Sequence, residues 1–193
     1  MWTSPKQAKI QVDNIVNTLS QASPQAKDAF TAAGKKYTDQ LEDLDKWASD
    51  SMSAVPEQDR VLFSSHDAFG YFSNEYGVKF IGSALSDFNH QQDATSSHID
   101  EQVKKVRESG AKAIFAENSN SSKSIEAIAR AAGVKAVTSD DALYGDSLGV
   151  PGSEGETYIG SIVHNINTLV SAWDSEQQPL PESLQAFDVA KRK

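Results

Sequence analysis

From residue 60 to residue 138 the chain alternates short apolar runs with stretches of helical periodicity, and each helical stretch closes on a glycine. Strand-like runs at 60–64, 79–82, 111–117 and 134–138 are separated by helical patterns over 68–76, 97–109 and 122–132, closed by Gly77, Gly110 and Gly133. Glycine suits those positions because a helix often ends on a residue in the left-handed region. Short apolar strands alternating with helices of about ten residues predict βαβ units and therefore a parallel sheet with right-handed crossovers. The expected fold is α/β: a long helix followed by a four-stranded parallel sheet sandwiched by helices.

The long helix is read from the first 56 residues. Ser4-Pro5 and Ser23-Pro24 are both helix starts, with serine as N-cap and proline at the first helical position. Ala8, Val12, Ile15, Val16 and Leu19 share one helical face after the first start; Phe30, Tyr37, Leu41, Leu44 and Ala48 keep helical spacing after the second, as far as Pro56. The second helix is then roughly thirty residues, about 45 Å long, an arm or a strut longer than a small sheet domain is deep. At the other end, a loop over 139–156 leads to a final helix from 157 to about 173. A tail carrying Pro179 and Pro181 is predicted to be a loosely held extension. The organisation read from this is a helical segment over 1–56, an α/β lobe over 57–174 and a tail over 175–193.

In a parallel sheet the residues that follow the strands share one rim, and open α/β sheets bind their ligands there. The rim residues are His66 and Asp67, Glu117 and Asn118, then Asp140, Asp141 and Asp146. Imidazole nitrogen and carboxylate oxygen at one edge suit a divalent cation of borderline hardness, zinc or manganese. The plainer reading makes His66 a cap for the following helix, with Asp67 favourably placed at its N-terminus and the aspartates ordinary turn residues. The other histidines are weaker candidates: His90 sits in a polar loop, His98 starts a helix, and His164 reads as a packing histidine on the last helix.

Composition narrows the classes. A net charge of -9 without a basic block argues against nucleic acid and anionic membrane surfaces. The absence of cysteine removes disulfides, thiolate zinc sites and cysteine nucleophiles. No run of about 18 apolar residues could span a membrane, and residues 1–6 show no secretory signal, which taken alone reads as cytoplasmic. Ser64 and Ser65 lie near His66, yet no Gly-x-Ser-x-Gly elbow presents either as a nucleophile. There is no phosphate-binding Walker loop or Gly-x-Gly-x-x-Gly. The glycine-rich run 149–155 follows no strand and carries no basic residue, so it reads as a mobile loop able to reshape around a ligand at the rim.

The run Ser65-His66-Asp67-Ala68-Phe69-Gly70-Tyr71-Phe72, followed by Tyr76-Gly77, resembles the second-lobe motif of the zinc and manganese solute-binding proteins of bacterial metal ABC transporters, a family that includes adhesins. Ala113-Ile114-Phe115-Ala116-Glu117, Leu143-Tyr144-Gly145-Asp146-Ser147-Leu148-Gly149, Thr157-Tyr158 with His164-Asn165, and Trp2-x-x-Pro5 match in the same order. The resemblance implies one lobe of a two-lobed protein in which a long helix joins the lobes and a metal lies between them, each lobe supplying two ligands. Carried over, the ligands here are His66 and Asp146, with Glu117 a supporting residue or an extra ligand. Histidine at position 66 favours Zn2+, with Mn2+ the alternative, since manganese-type members tend to have glutamate there.

The resemblance further implies a metal ion and a membrane permease as partners, a periplasmic or cell-surface location for the full-length family member, and binding rather than catalysis. Family members carry a first lobe with two histidine ligands ahead of the segment matched here. The expectation is therefore a C-terminal portion, without the targeting signal, that binds metal weakly and self-associates through the uncovered long helix. The competing readings are a metal-dependent hydrolase using the same rim and an activated water, and an adhesin-like interaction protein.

Overall fold

The computed structural model describes residues 1–85 and 96–188, the side chains of 96–98 excepted. His90 and the side chain of His98 lie outside the described residues. The elements in order are α1 (Pro5–Ala22), α2 (Lys27–Ser53), β1 (Val61–Ser64), α3 (Gly70–Tyr76), β2 (Lys79–Ser83), α4 (Ser96–Ser109), β3 (Ala113–Phe115), α5 (Lys123–Ala132), β4 (Lys135–Val137) and α6 (Tyr158–Ala172).

The strands form two two-stranded parallel sheets, β1–β2 and β3–β4, which lie side by side with β1 next to β3, giving the lateral order β2-β1-β3-β4. A bulge interrupts β1–β2 between Leu62 and Phe63, opposite Gly82. Gly82 has φ +141°, and a Cβ there would meet Phe63 and Gln102 at 3.6 and 3.4 Å. Both faces of this pair of sheets are covered, which is why the strands read as continuous apolar runs. Leu62, Ala113 and Phe115 face a core formed with α2, α3 and α6; Val61, Phe63, Ile114 and Ala116 face a second core formed with α4 and α5. That is the period-two alternation of a strand between two helical layers. Leu62, Phe63, Ile114 and Phe115 are fully buried, each worth about 1.5–3 kcal/mol of apolar transfer free energy.

Ser4 caps α1 by accepting from Gln7 N–H at 3.3 Å. The second start signal is used differently: Pro24–Ala26 forms a short 3-10 turn without a side-chain cap, and α2 begins at Lys27. At 27 residues α2 is about 40 Å long. Its C-terminal half, including Leu41, Leu44, Trp47, Ala48 and Met52, is buried against the lobe. Its other neighbour is α1, which folds back along it; at Gly34 the two helices come so close that a Cβ would lie 2.4 Å from Val16 Cγ2. The expected uncovered face therefore shifts. Among the described residues the exposed large apolar side chains of the hairpin, Ile10, Ile15 and Leu19, are on α1 rather than α2.

The tail also departs from expectation. Leu180 and Leu184 are buried, a 3-10 turn over Glu182–Phe187 packs on α2 and α6, and Trp47 Nε1 donates to the Gln178 carbonyl at 3.2 Å. Polar spacing had hidden two apolar anchors. No helix among the described residues is long and apolar enough to cross a membrane.

Candidate metal centre

The carboxyl ends of β1 and β3 meet at one edge. Glu117 N–H donates to Ser65 Oγ at 3.1 Å, and the chain after β4 joins them through a parallel bridge between Glu117 and Leu143. Leu143 N–H donates to Ala116 O at 2.9 Å, and Asn118 N–H to Leu143 O at 2.9 Å. Three segments distant in sequence thus deliver His66, Glu117 and Asp146 to the same place.

His66 is the centre of the arrangement. Its Nδ1 is 2.7 Å from Glu117 Oε2, and its Nε2 is 2.8 Å from Asp146 Oδ2. Glu117 also accepts the backbone N–H of His66 through Oε1 at 2.9 Å, so one carboxylate holds this residue at two points. The Glu117 side chain is fully buried, whereas that of Asp146 is partly exposed. The Glu117 hydrogen bond raises the His66 pKa above the ordinary imidazole value; burial opposes the shift, and the charges of Glu117 and Asp146 add to it. The carboxylates lie on opposite ring nitrogens. Accordingly, among the described residues no group of three or more His, Asp or Glu side chains is arranged to hold one metal ion.

The helix-cap reading of His66 fails on geometry, because α3 begins at Gly70 with Phe69 as its N-cap residue. The rim list is also shorter than expected. Asp67 is exposed, Asp140 and Asp141 lie exposed in the turn Ser139–Asp141, and Asn118 donates to Ser147 Oγ at 2.8 Å. Both serines are buried and engaged: Ser64 Oγ donates to His66 O at 2.7 Å, and Ser65 Oγ receives Glu117 N–H. Neither hydroxyl is presented as a nucleophile. His164 is buried, with Nδ1 2.9 Å from Glu154 Oε2 and Nε2 3.0 Å from Ala142 O, in keeping with a packing histidine.

Several residues that shape the site are visible in the sequence at most as motif matches, without the contacts that explain them. A Cβ at Gly145 would fall 2.2 Å from Glu117 Oε2, so only glycine lets the loop settle on that carboxylate. Trp2 Nε1 donates to the Gly145 carbonyl at 2.8 Å. Asn120 Nδ2 is 3.3 Å from His66 Nδ1. Beside Asp146 a groove of about 390 Å3 is lined by Trp2, Tyr144, Leu148, Tyr158 and Ile162 among others. The glycine-rich loop is internally braced rather than featureless: Gly149 N–H donates to Gly155 O at 2.8 Å, and Gly155 packs so tightly on the Tyr144 ring that a Cβ would lie 2.2 Å from it.

Residues 1–172 match the family described as zinc-uptake complex component A, periplasmic. The chain is 41% identical over 163 residues to the manganese-binding lipoprotein MntA of Bacillus subtilis (strain 168), covering 83% of this chain and 53% of that protein. It is 30% identical over 174 residues to the zinc-binding protein TroA of Treponema pallidum (strain Nichols), covering 89% and 56%. The solved structure of the periplasmic zinc binding protein TroA from Treponema pallidum superposes with a TM-score of 0.80 at 30% identity, over 91% of this chain and 63% of that one. The chain thus spans just over half the length of the curated relatives it matches. With residues 1–172 matched by the family, the chain belongs to the periplasmic zinc-uptake component A family.

Proposed function

We propose that the chain captures a divalent transition-metal ion through His66 Nε2 and Asp146, as the second lobe of the metal-binding component of an ABC importer. The observation that carries this reading is the division of labour around one imidazole: a buried glutamate on Nδ1 and a partly exposed aspartate on Nε2. Ligating histidines commonly give their other ring N–H to a carboxylate, which fixes the tautomer and raises the basicity of the ligand nitrogen. Glu117 is suited to that supporting role, and the metal would take the place of the proton between Nε2 and Asp146. Nitrogen with carboxylate oxygen suits zinc, which the histidine at position 66 favours, or manganese, and the relatives' names divide between the two metals.

On this reading residues 57–174 form the metal-binding lobe, 1–56 the helical segment that joins it to a first lobe, and 175–193 a tail. The work done is reversible coordination and delivery to a membrane permease outside the cytoplasm, not catalysis. Self-association runs through the exposed Ile10, Ile15 and Leu19 of α1, and sedimentation of the protein at increasing concentration tests it. Two protein ligands leave a four-coordinate ion half satisfied, so the affinity of this chain alone is weak, with Kd on the order of micromolar or above. Competition with a chelating dye tests the proposal. Zinc binding that disappears in His66→Ala supports it; binding unchanged by His66→Ala overturns the assignment, and sub-micromolar zinc affinity overturns the half-site argument. Turnover of phosphate or carboxylic esters with added zinc or manganese would favour the hydrolase reading instead.

A further inference from the structure

We infer that Asn165 is a positioning residue for Asp146, acting through the backbone of Tyr144; the inference rests on the metal-binding reading of the site. Asn165 lies on α6, 1% exposed, in a helix whose neighbouring buried residues are mostly apolar. A primary amide in such a setting is costly unless both its donor and its acceptor are bonded. Here both go to one residue: Tyr144 N–H donates to Asn165 Oδ1 at 2.8 Å, and Asn165 Nδ2 donates to Tyr144 O at 2.9 Å. The side chain does for Tyr144 what a neighbouring strand would do, at the point where the ladder has ended.

The consequence falls on Asp146. Leu143 is held by the main chain on either side of Glu117, Tyr144 by Asn165, and the Gly145 carbonyl by Trp2 Nε1. Three consecutive residues are therefore pinned before the aspartate, which then stands 2.8 Å from His66 Nε2. Its neighbours are fixed by groups outside the proposed ligand pair. Only an amide meets the requirement at position 165, since a carboxylate would set a second acceptor against the Tyr144 carbonyl and an apolar side chain would leave two part-buried backbone groups without their partner.

The experiment compares the parent chain with Asn165→Asp, Asn165→Ala and Trp2→Phe, using zinc(II) by chelating-dye competition and cobalt(II) by visible absorption. Trp2→Phe removes the Nε1–H bond to Gly145 from a half-exposed side chain, so it tests the pinning of the segment before Asp146 if the Asn165 variants fold poorly. The expected result is a fall in zinc affinity of about tenfold in folded Asn165→Asp and Asn165→Ala, and several-fold in Trp2→Phe. Altered cobalt absorption at saturating metal accompanies it, a change that lost stability alone would not produce. Variants that bind zinc with parental affinity and give the parental cobalt spectrum overturn this inference alone. No zinc binding by the parent chain overturns the functional reading and this inference with it.

Discussion

Glu117 grips His66 twice, accepting its backbone N–H through Oε1 at 2.9 Å and facing Nδ1 through Oε2 at 2.7 Å. The carboxylate comes from the end of β3 and the imidazole from the end of β1, so one side chain both ties two strand ends together and orients a ring. Stability and site chemistry are coupled through that residue.

Glu117→Gln keeps the shape and one acceptor but removes the charge beside Nδ1. Zinc affinity should fall by about tenfold, in the range seen when the outer partner of a ligating histidine is changed. The His66 pKa should fall as well, because its largest raising cause is the bond to Glu117. Glu117→Ala also leaves a buried backbone N–H without its partner, at a cost of about 1–3 kcal/mol. Denaturant unfolding for stability and NMR titration of the His66 ring for the pKa check both expectations.

The pH dependence should have opposite signs with and without metal. Without metal, the folded-state pKa of His66 is raised, so its contribution to stability is fully present below the unfolded imidazole value of about 6.5 and is lost as pH rises through the raised folded value. On the proposed reading zinc and the proton compete for the lone pair of Nε2, so metal affinity should instead climb as pH rises through that same value. Thermal unfolding from about pH 5 to about pH 8, with and without zinc, should show a metal-induced gain in Tm that grows with pH. A gain that shrinks with pH would count against coordination by His66.

Gly145→Ala should disturb both carboxylates of the site. A methyl group 2.2 Å from Glu117 Oε2 and 3.5 Å from His66 Cε1 must push either the glutamate or the loop away. We expect a loss of about 1–3 kcal/mol, typical of overpacking, together with weaker zinc binding because Asp146 follows directly. Equilibrium unfolding and dye competition on the same preparation measure the two effects.

The hairpin of α1 and α2 offers a test far from the site. Alanine at position 34 would gain up to about 1 kcal/mol of helix propensity over glycine, yet its Cβ would sit 2.4 Å from Val16 Cγ2, a β-branched side chain with little rotamer freedom in a helix. Overpacking of about 1–3 kcal/mol should win. Gly34→Ala should therefore lower Tm, and adding Val16→Ala should restore much of the loss.

What could be read from the chain alone followed from local pattern. The βαβ alternation, the glycine-closed helices, the long helix and the arrival of His66 at a strand end all depend on residues a few positions apart, whose periodicity reports which faces must be buried. The motif around 65–77 likewise carries the family resemblance in local sequence. The details of the site lay elsewhere. Which ring nitrogen of His66 faces Glu117, why position 145 must be glycine, and how Trp2 and Asn165 hold the loop are contacts across 21 to 143 residues of chain, and no spacing rule encodes them. The tail shows the same limit, since Leu180 and Leu184 look unremarkable among prolines and polar residues until α2 and α6 supply the surface that buries them. Sequence by itself determined the layers and the edge at which chemistry can occur, because those follow from hydrophobic periodicity. Tertiary structure decided which carboxylate supports the imidazole and which faces solvent, because that depends on where three distant backbones stop relative to one another.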